Sequence, residues 1–231
     1  VRTYYEYQNS QLINNQNLQF LTFLPQNLDY TINWYGLSLN FKHLDYIFNP
    51  RKGYNIEINT AIGKKMIQKN INIPQELYNG IQTKSTQIKA IINADLYFPI
   101  KKRWTWVIAL KSAYLQSPTL CENELFKIGG LNSLRGFDHQ SIYASSYFII
   151  NNEIRFLFAK KSYLQAFFDF AGYEKRLTNN YRSDFPFGFG IGIAFDTKAG
   201  IFSLNYALGK QLGNPIKFAS GKINFGYTAV F

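Results

Sequence analysis

Alternation of apolar and polar residues with a period of two is the dominant pattern of this sequence. In the clearest example, residues 187–196, Phe or Ile occupies every second position and Gly occupies most positions between them. Residues 222–231 repeat the pattern at the C-terminus. Successive side chains of a strand point to opposite faces, so strict alternation predicts β-strands with one apolar and one polar face.

Ten segments are predicted as strands, and most of them are long. Strands of soluble sheets average about 5–6 residues, whereas a tilted strand that crosses a bilayer needs about 9–11. The strand lengths therefore favour a membrane-spanning sheet. The predicted strands are residues 2–8, 33–46, 54–63, 86–98, 103–116, 143–158, 163–173, 187–196, 201–210 and 221–231.

The connections between these strands alternate between short and long. Long polar connections follow the first, third, fifth and seventh strands, at residues 9–32, 64–85, 117–142 and 174–186. Short turns follow the second, fourth, sixth and eighth strands. This is the plan of a bacterial outer-membrane barrel with short periplasmic turns and long extracellular loops. We therefore predict an all-β fold, an antiparallel transmembrane β-barrel of about ten strands, that spans residues 1–231 as a single domain.

A soluble β-sandwich is the competing interpretation, because its strands also alternate and pack their apolar face against a second sheet. Strand length and the regular alternation of the connections both argue against it. Aromatic residues near strand ends, among them Trp104 and Trp106, are typical of the girdles of membrane barrels.

Composition adds the charge balance. The 231 residues carry a net charge of +11 and are 18% aromatic, which excludes a disordered chain. The single Cys121 excludes an internal disulfide. Many cations lie in the short turns, where they can pair with phospholipid phosphates. Nucleic-acid binding is not expected, since the aromatic residues follow the lipid-facing parity instead of lining a basic groove.

The polar parity of the strands places charged residues in the interior. Glu153 and Asp169 face inward on adjacent predicted strands, together with Lys89, Asp95 and Lys111. A charge that faces hydrocarbon costs about 2–4 kcal/mol at the membrane midplane, so this assignment of faces is strongly determined.

The connection 117–142 differs from the other long connections. Residues 129–137 read GGLNSLRGF, with adjacent glycines and an arginine between apolar residues. This string resembles the (V/L)-R-G-(F/Y) loop of the BamA/TamA superfamily of outer-membrane assembly and translocation proteins, which includes FhaC-like secretion pores. The resemblance extends from about residue 34 to residue 231.

The resemblance implies a lumen-folding loop at residues 117–142. In the family the loop tip enters the lumen and its arginine contacts acidic residues of the next two strands. Arg135 matches that arginine, followed by Gly136 and Phe137, and Glu153 and Asp169 match the acidic partners. A guanidinium can bridge two carboxylates with fixed geometry. We therefore expect these five residues to lock the loop.

The two ends of the chain carry further expectations. Phe225, Tyr227 and the terminal Phe231 resemble the last-strand signal by which outer-membrane barrels are recognised for insertion. A seam between the first and last strands, at Tyr4 on one side and at Gly221 and Gly226 on the other, is expected to be weak because glycine weakens strand pairing.

The sequence also departs from the family. Full members have sixteen strands and periplasmic POTRA modules, whereas this chain supplies ten predicted strands and none of those modules. It starts at Val1 without a leader, which predicts a processed or truncated start. Since an open sheet edge cannot face lipid, the strands must close on themselves, pair with another chain as in a homodimer, or be completed by further strands.

The predicted function is non-enzymatic. We expect a bacterial outer-membrane protein that assists the insertion or translocation of polypeptides through a lateral seam. Its partners would be phospholipid, lipopolysaccharide, polypeptide substrates and other outer-membrane proteins.

A small pore or a structural, dimerising barrel is the alternative. A barrel enzyme is a third interpretation, but the adjacent Asp138 and His139 are more typical of a solvated loop. No metal spacing or phosphate-binding loop is present, so no cofactor is expected.

Overall fold

The computed structural model describes residues 1–12, 18–177, 180–213 and 216–229, and these residues form an almost entirely β structure. It contains thirteen strands: β1 Arg2–Ser10, β2 Asp29–Leu44, β3 Gly53–Gln68, β4 Lys84–Lys101, β5 Trp104–Gln116, β6 Phe126–Ile128, β7 Ile142–Ala144, β8 Ser146–Ala159, β9 Ser162–Leu177, β10 Asn180–Asp184, β11 Phe187–Thr197, β12 Gly200–Lys210 and β13 Lys222–Thr228.

Ten of the strands form one continuous antiparallel sheet in the order β1-β2-β3-β4-β5-β8-β9-β11-β12-β13. Each of these ten strands coincides with one of the ten predicted segments, and the prediction of an all-β antiparallel fold is confirmed. Strand β10 pairs with β9, and β6 and β7 form a separate hairpin.

The strand count is higher than predicted because of three short strands in or next to segments expected to be loops. Strand β6 lies in the middle of the connection 117–142, β7 spans the boundary between that connection and the predicted strand 143–158, and β9 and β10 form a hairpin across most of residues 174–186. These strands have three to five residues or extend a longer strand beyond its apolar stretch. They are too short or too polar to produce a period-two signal.

Several strand bounds also differ from the prediction. Strand β2 begins at Asp29, and β3 continues to Gln68, the residue that pairs with Asp29. The hydrogen bonding thus continues beyond the apolar stretch, where polar residues occupy both faces. At the C-terminus, β13 begins at Lys222, so Gly221 lies just before the last strand and not within it. The predicted signal residue Phe231 lies outside the described residues.

Residues 117–142, here called the inner loop, cover one face of the sheet. We call this face the inner face. The opposite, outer face exposes large apolar side chains on most strands, including Ile62, Leu164, Phe168, Ile191 and Phe225. Aromatic rings continue across neighbouring strands on this face, as in the stacked pair Phe195–Phe202 with centroids 5.8 Å apart. An exposed apolar surface of this extent marks contact with something other than water.

The buried core lies between the inner loop and the inner face. Ile128 and Leu134 of the loop pack with Ile149 of β8 and Ala171 of β9. A second cluster joins Cys121 to residues such as Leu28 and Ile67. In a third, Leu120 and Phe126 pack against Tyr30, Ile32 and Trp34 of β2. The inner loop is therefore part of the core and not a solvated connection.

The sheet ends at β1 and β13. Within the described residues, β1 pairs only with β2, and β13 pairs only with β12. In the same part of the chain, no helix is long and apolar enough to cross a membrane.

Candidate functional site

The tip of the inner loop is a compact turn over residues 129–134. The backbone N–H of Gly130 donates to the carbonyl of Leu134 at 3.0 Å, and the N–H of Gly129 donates to the hydroxyl of Ser133 at 2.8 Å. Both glycines have positive φ angles, 115° and 91°, which side chains rarely tolerate. The turn orients the next residue, Arg135, toward the wall formed by β8 and β9.

Arg135 joins the two carboxylates that the sequence singled out. Its Nε and Nη2 donate to Asp169 at 2.7 and 2.5 Å, and its Nη1 donates to Oε1 of Glu153 at 2.6 Å. The backbone N–H of Arg135 also donates to Asp169, at 3.1 Å. Asp169 is fully buried and Arg135 is 4% exposed. A fork of this kind fixes the position of the guanidinium in two directions.

A second arginine completes the cluster. The Nε and Nη2 of Arg155 donate to the other oxygen of Glu153 at 2.8 and 2.5 Å. The Arg135 guanidinium carbon also lies 3.7 Å from the centroid of the Phe167 ring, a favourable cation–π contact. Two guanidinium groups thus balance two carboxylates, and the buried cluster is neutral. We call Arg135, Glu153, Asp169 and Arg155 the tip anchor.

The sequence analysis assigned no role to Arg155. The available signal was its position two residues after Glu153 on the same strand, which puts both side chains on one face. The charge balance is a second signal for Arg155, since one arginine cannot neutralise two buried carboxylates.

Gly136 brings the loop backbone against β11 and β12, the next strands of the sheet after β9. Its φ is 93°, and a Cβ placed on it would lie 2.6 Å from the carbonyl carbon of Leu208 on β12. On β11, a Cβ at Gly188 would lie 1.9 Å from the carbonyl oxygen of Arg135. Backbone-to-backbone contact therefore requires glycine on both sides. Phe137, the fifth predicted residue, is half-buried and packs against the cluster around Leu134.

A polar cavity of 170 Å³ lies beside the tip anchor. Lys111 donates from its Nζ to the carbonyl of Asn132, and Asn151 donates from its Nδ2 to the carbonyl of Ser133 at 2.9 Å. Inward-facing Asp95 also lines the cavity. The inner charges of β4, β5 and β8 are thus gathered where the loop tip docks.

A second anchor holds the first part of the inner loop, and the sequence analysis missed it. Glu124 accepts from Lys65 Nζ at 2.5 Å and from Gln87 Nε2 at 2.6 Å. The same Nζ donates to the carbonyl of Thr119 at 2.9 Å and lies 3.4 Å from the sulfur of Cys121. The side chains of Lys65 and Glu124 are 0% and 2% exposed. We call Lys65, Gln87 and Glu124 the shoulder anchor.

The shoulder anchor is shielded from solvent, and so is the adjoining Cys121, which is 1% exposed. Burial raises the pKa of the Cys121 thiol to about 11, although the Lys65 ammonium lowers it in part. A thiol with such a pKa is protonated at neutral pH and reacts slowly with electrophiles. Cys121 is therefore protected while the inner loop is docked.

Further contacts tie the same part of the loop to the first strands. Asn123 donates from its Nδ2 to the carbonyl of Leu28 and to the hydroxyl of Ser10 on β1, each at 2.9 Å. The N–H of Glu122 donates to the carbonyl of Gln26 at 2.8 Å. The inner loop consequently links β1–β4 through its shoulder to β8–β12 through its tip.

No strand pairing joins the predicted seam residues within the described residues, so the seam stays a prediction. The ring of Tyr4 lies over Gly36 of the neighbouring strand β2, where a Cβ would lie 2.2 Å from it. Gly226 of β13 lies near Leu131 of the inner loop. Phe225 and Tyr227 are exposed on the outer face.

The barrel-enzyme interpretation concerned Asp138 and His139, and no described hydrogen bond or ion pair joins these two side chains. The Asp138 carboxylate pairs with Lys222 at 2.7 Å, so its described partner is a lysine and not His139. Among the described residues, no group of three or more His, Cys, Asp and Glu side chains is placed to hold a metal ion.

A comparison with known families gives a match over almost the whole chain. Residues 1–227 match a family model described as an Omp85 superfamily domain. No curated protein matches the chain.

Proposed function

The chain belongs to the Omp85 superfamily, and from this premise we propose that it is an outer-membrane barrel that assists the insertion or translocation of other polypeptides. The membership confirms the family resemblance carried by residues 129–137. The observation that carries the proposal is the docked inner loop, with Arg135 held between Glu153 and Asp169 at 2.6 and 2.5 Å.

The distribution of polarity supports a position in the bacterial outer membrane. Apolar side chains such as Ile191 and Phe225 are exposed on the outer face, while the charges of the tip anchor are buried on the inner face. Soluble proteins show the opposite arrangement, with charges outside. Phospholipid and lipopolysaccharide would cover the outer face.

The two edge strands support a lateral route for a polypeptide. Unpaired N–H and C=O groups on a sheet edge are a template for an added strand. The inner loop contacts both edges, through Asn123 and Ser10 of β1 and through Asp138 and Lys222 of β13. In the proposed mechanism, a movement of the loop changes the seam between β1 and β13, and a substrate strand enters there.

The proposal is tested by adding an unfolded outer-membrane barrel protein to liposomes that contain this protein. Insertion is followed by the faster mobility of folded barrels in unheated gels. We expect faster insertion than in empty liposomes, and slower insertion with Arg135→Ala than with the parent. Equal rates in empty and loaded liposomes would contradict the proposal.

A structural, dimerising barrel is the second candidate, because β1 and β13 each lack a second partner within the described residues. A second copy could pair with these edges in place of a substrate. The mass of the protein in detergent and its behaviour in the insertion assay separate the two functions. An open pore is less favoured, since the inner loop packs against the inner face in three buried clusters.

A further inference from the structure

The turn between β2 and β3 folds across the short-turn rim of the sheet. We call residues 45–52 the rim turn. Oδ1 of Asp45 accepts from the backbone N–H groups of Tyr46, Arg51 and Lys52 at 3.0, 2.9 and 3.2 Å, which closes the turn. Nη2 of Arg51 donates to the carbonyl of Lys101 at 2.8 Å. The rim turn is therefore a built structure.

The rim turn passes the turn between β4 and β5 and reaches the turn between β8 and β9. Asn49 Nδ2 lies 3.5 Å from the carbonyl of Lys160, and the Lys161 ammonium lies 5.4 Å from the centroid of the Phe48 ring. A cavity of 690 Å³ lies between these turns. That volume is in the range of small-molecule sites, about 300–1,000 Å³.

One side of the cavity is apolar and exposed. Ile47 is 75% exposed, and Tyr46, Phe48 and Phe158 are also exposed. Phe158 belongs to the outward row of β8, which continues through Phe156 toward the middle of the outer face. The apolar lining is therefore continuous with the surface that we assign to lipid.

The other side of the cavity is cationic. Arg51, Arg103, Lys160 and Lys161 line it, whereas Asp45 is its one lining carboxylate. Oδ1 of Asp45 accepts three backbone N–H groups of the turn, and the single charge of this carboxylate is outnumbered by the four cations. Nε of Arg51 is buried without a hydrogen-bond partner among the described residues. The excess of positive charge fits an anion with several acceptor oxygens.

We propose that this cavity binds one molecule of anionic phospholipid. The headgroup phosphate lies among Arg51, Arg103 and Lys160. An acyl chain leaves past Ile47 and Phe158 onto the outer face. A peptide with a terminal carboxylate would satisfy the cations but would not account for the continuity with the outer face. The proposal concerns a bound lipid and does not depend on insertion activity.

The test compares two double variants of equal charge in detergent micelles. Arg103→Gln with Lys160→Gln removes two lining cations whose side chains enter no hydrogen bond or ion pair in the described part of the chain. Lys102→Gln with Lys198→Gln removes two cations of the same rim that do not line the cavity. Native mass spectrometry measures the retention of phosphatidylglycerol added to each protein.

We expect the parent and the Lys102/Lys198 variant to retain one phosphatidylglycerol, and the Arg103/Lys160 variant to bind it about tenfold more weakly. Phosphatidylcholine should bind more weakly than phosphatidylglycerol to the parent. Equal loss in both double variants would overturn the proposal, since it would reduce the effect to general surface charge.

Two competition arms identify the source of the anion. Inorganic phosphate at the concentration of the lipid should leave the bound phosphatidylglycerol in place, because it cannot use Ile47 and Phe158. Complete displacement by inorganic phosphate, or by a short peptide ending in phenylalanine, would overturn the assignment to a phospholipid. The gel mobility of each variant in unheated samples verifies that it is folded.

Discussion

The inner loop is held at two places whose surroundings differ. The tip anchor is a four-membered charge cluster beside a polar cavity, and Glu153 within it is 12% exposed at its side chain. The shoulder anchor contains a single ion pair, Lys65 with Glu124, whose side chains are 0% and 2% exposed, and Gln87 as a neutral hydrogen-bond donor. Charges beside a polar cavity can be rehydrated when they separate, whereas sealed charges cannot. Since the Arg135–Asp169 pair is as buried as the shoulder pair, at 5% and 0% exposure, we expect the tip to separate more readily than the shoulder only at the partly exposed Glu153.

Removing one partner of the shoulder anchor should have the largest effect. Glu124→Ala leaves the Lys65 ammonium buried without its carboxylate, which typically costs about 3–5 kcal/mol of stability. Urea unfolding in detergent measures the loss, and maleimide labelling of Cys121 should become faster as the loop shoulder opens. In the matched double variant Lys65→Met with Glu124→Leu, both charges are gone, and most of the stability should return. A double variant no more stable than Glu124→Ala would show that the pair is not the main support.

Weakening the tip anchor should cost less and act locally. Arg135→Lys keeps the charge but loses the fork to Asp169, and a hydrogen bond to a charged group contributes about 1.5–3 kcal/mol. We expect reduced insertion activity in the liposome assay, while Cys121 remains as slow to label as in the parent. Labelling as fast as in Glu124→Ala would mean that the loop leaves as one unit, and the contrast between the anchors would be lost.

Glycine substitutions measure how tightly the tip is packed. Gly136→Ala combines a φ of 93° with a Cβ 2.6 Å from the Leu208 carbonyl carbon, and a strained residue of this kind costs about 1–3 kcal/mol. Gly80→Ala is the control, because Gly80 has a φ of 81° but open space where its Cβ would lie. Unfolding in urea should place Gly136→Ala clearly below Gly80→Ala. Equal stabilities would indicate that the tip can shift away from β12.

The smallest expected effect concerns a carboxylate outside both anchors. Burial acts to raise the pKa of Asp45, but the backbone N–H groups of Arg51, Lys52 and Tyr46 lower it more, so the pKa lies below its usual value. The stability that the ionised Asp45 carboxylate contributes is therefore fully present above the pKa that Asp45 has in the unfolded chain. It is lost as the pH falls through the lower pKa that Asp45 has in the folded protein. Asp45→Asn should be slightly less stable than the parent at pH 7 and match it at pH 2. A constant difference between them would contradict this assignment.

The contrast between the anchors also separates what the sequence predicts from what it does not. The parity of β8 and β9 placed Glu153 and Asp169 on the inner face, and the GGLNSLRGF string identified Arg135. Both signals are local, since one needs only alternation and the other a short motif. Their meeting in space follows from the strand order, which the alternating connections also indicated.

The shoulder anchor left no comparable signal. The predicted third strand ends at Gly63, because Lys64 and Lys65 place charge on both faces, although the pairing with β2 continues to Gln68. The sequence therefore places Lys65 in the long polar connection 64–85. Its partner Glu124 lies 59 residues away, in a segment without period-two character. Such a contact depends on how the loop packs, which neither propensity nor alternation encodes.

The glycines of β11 have a consequence for the shape of the wall. Gly188, Gly190 and Gly192 leave the inner side of this strand bare, and Asn205 and Phe167 lie close to the space that their side chains would fill. Glycine within a strand permits a sharp bend, as at the corners of barrels. Curvature can thus be concentrated at one strand, which lets the sheet bend around the inner loop. Alanine at these three positions would clash with Asn205, Phe167 and the loop backbone and would loosen this fit.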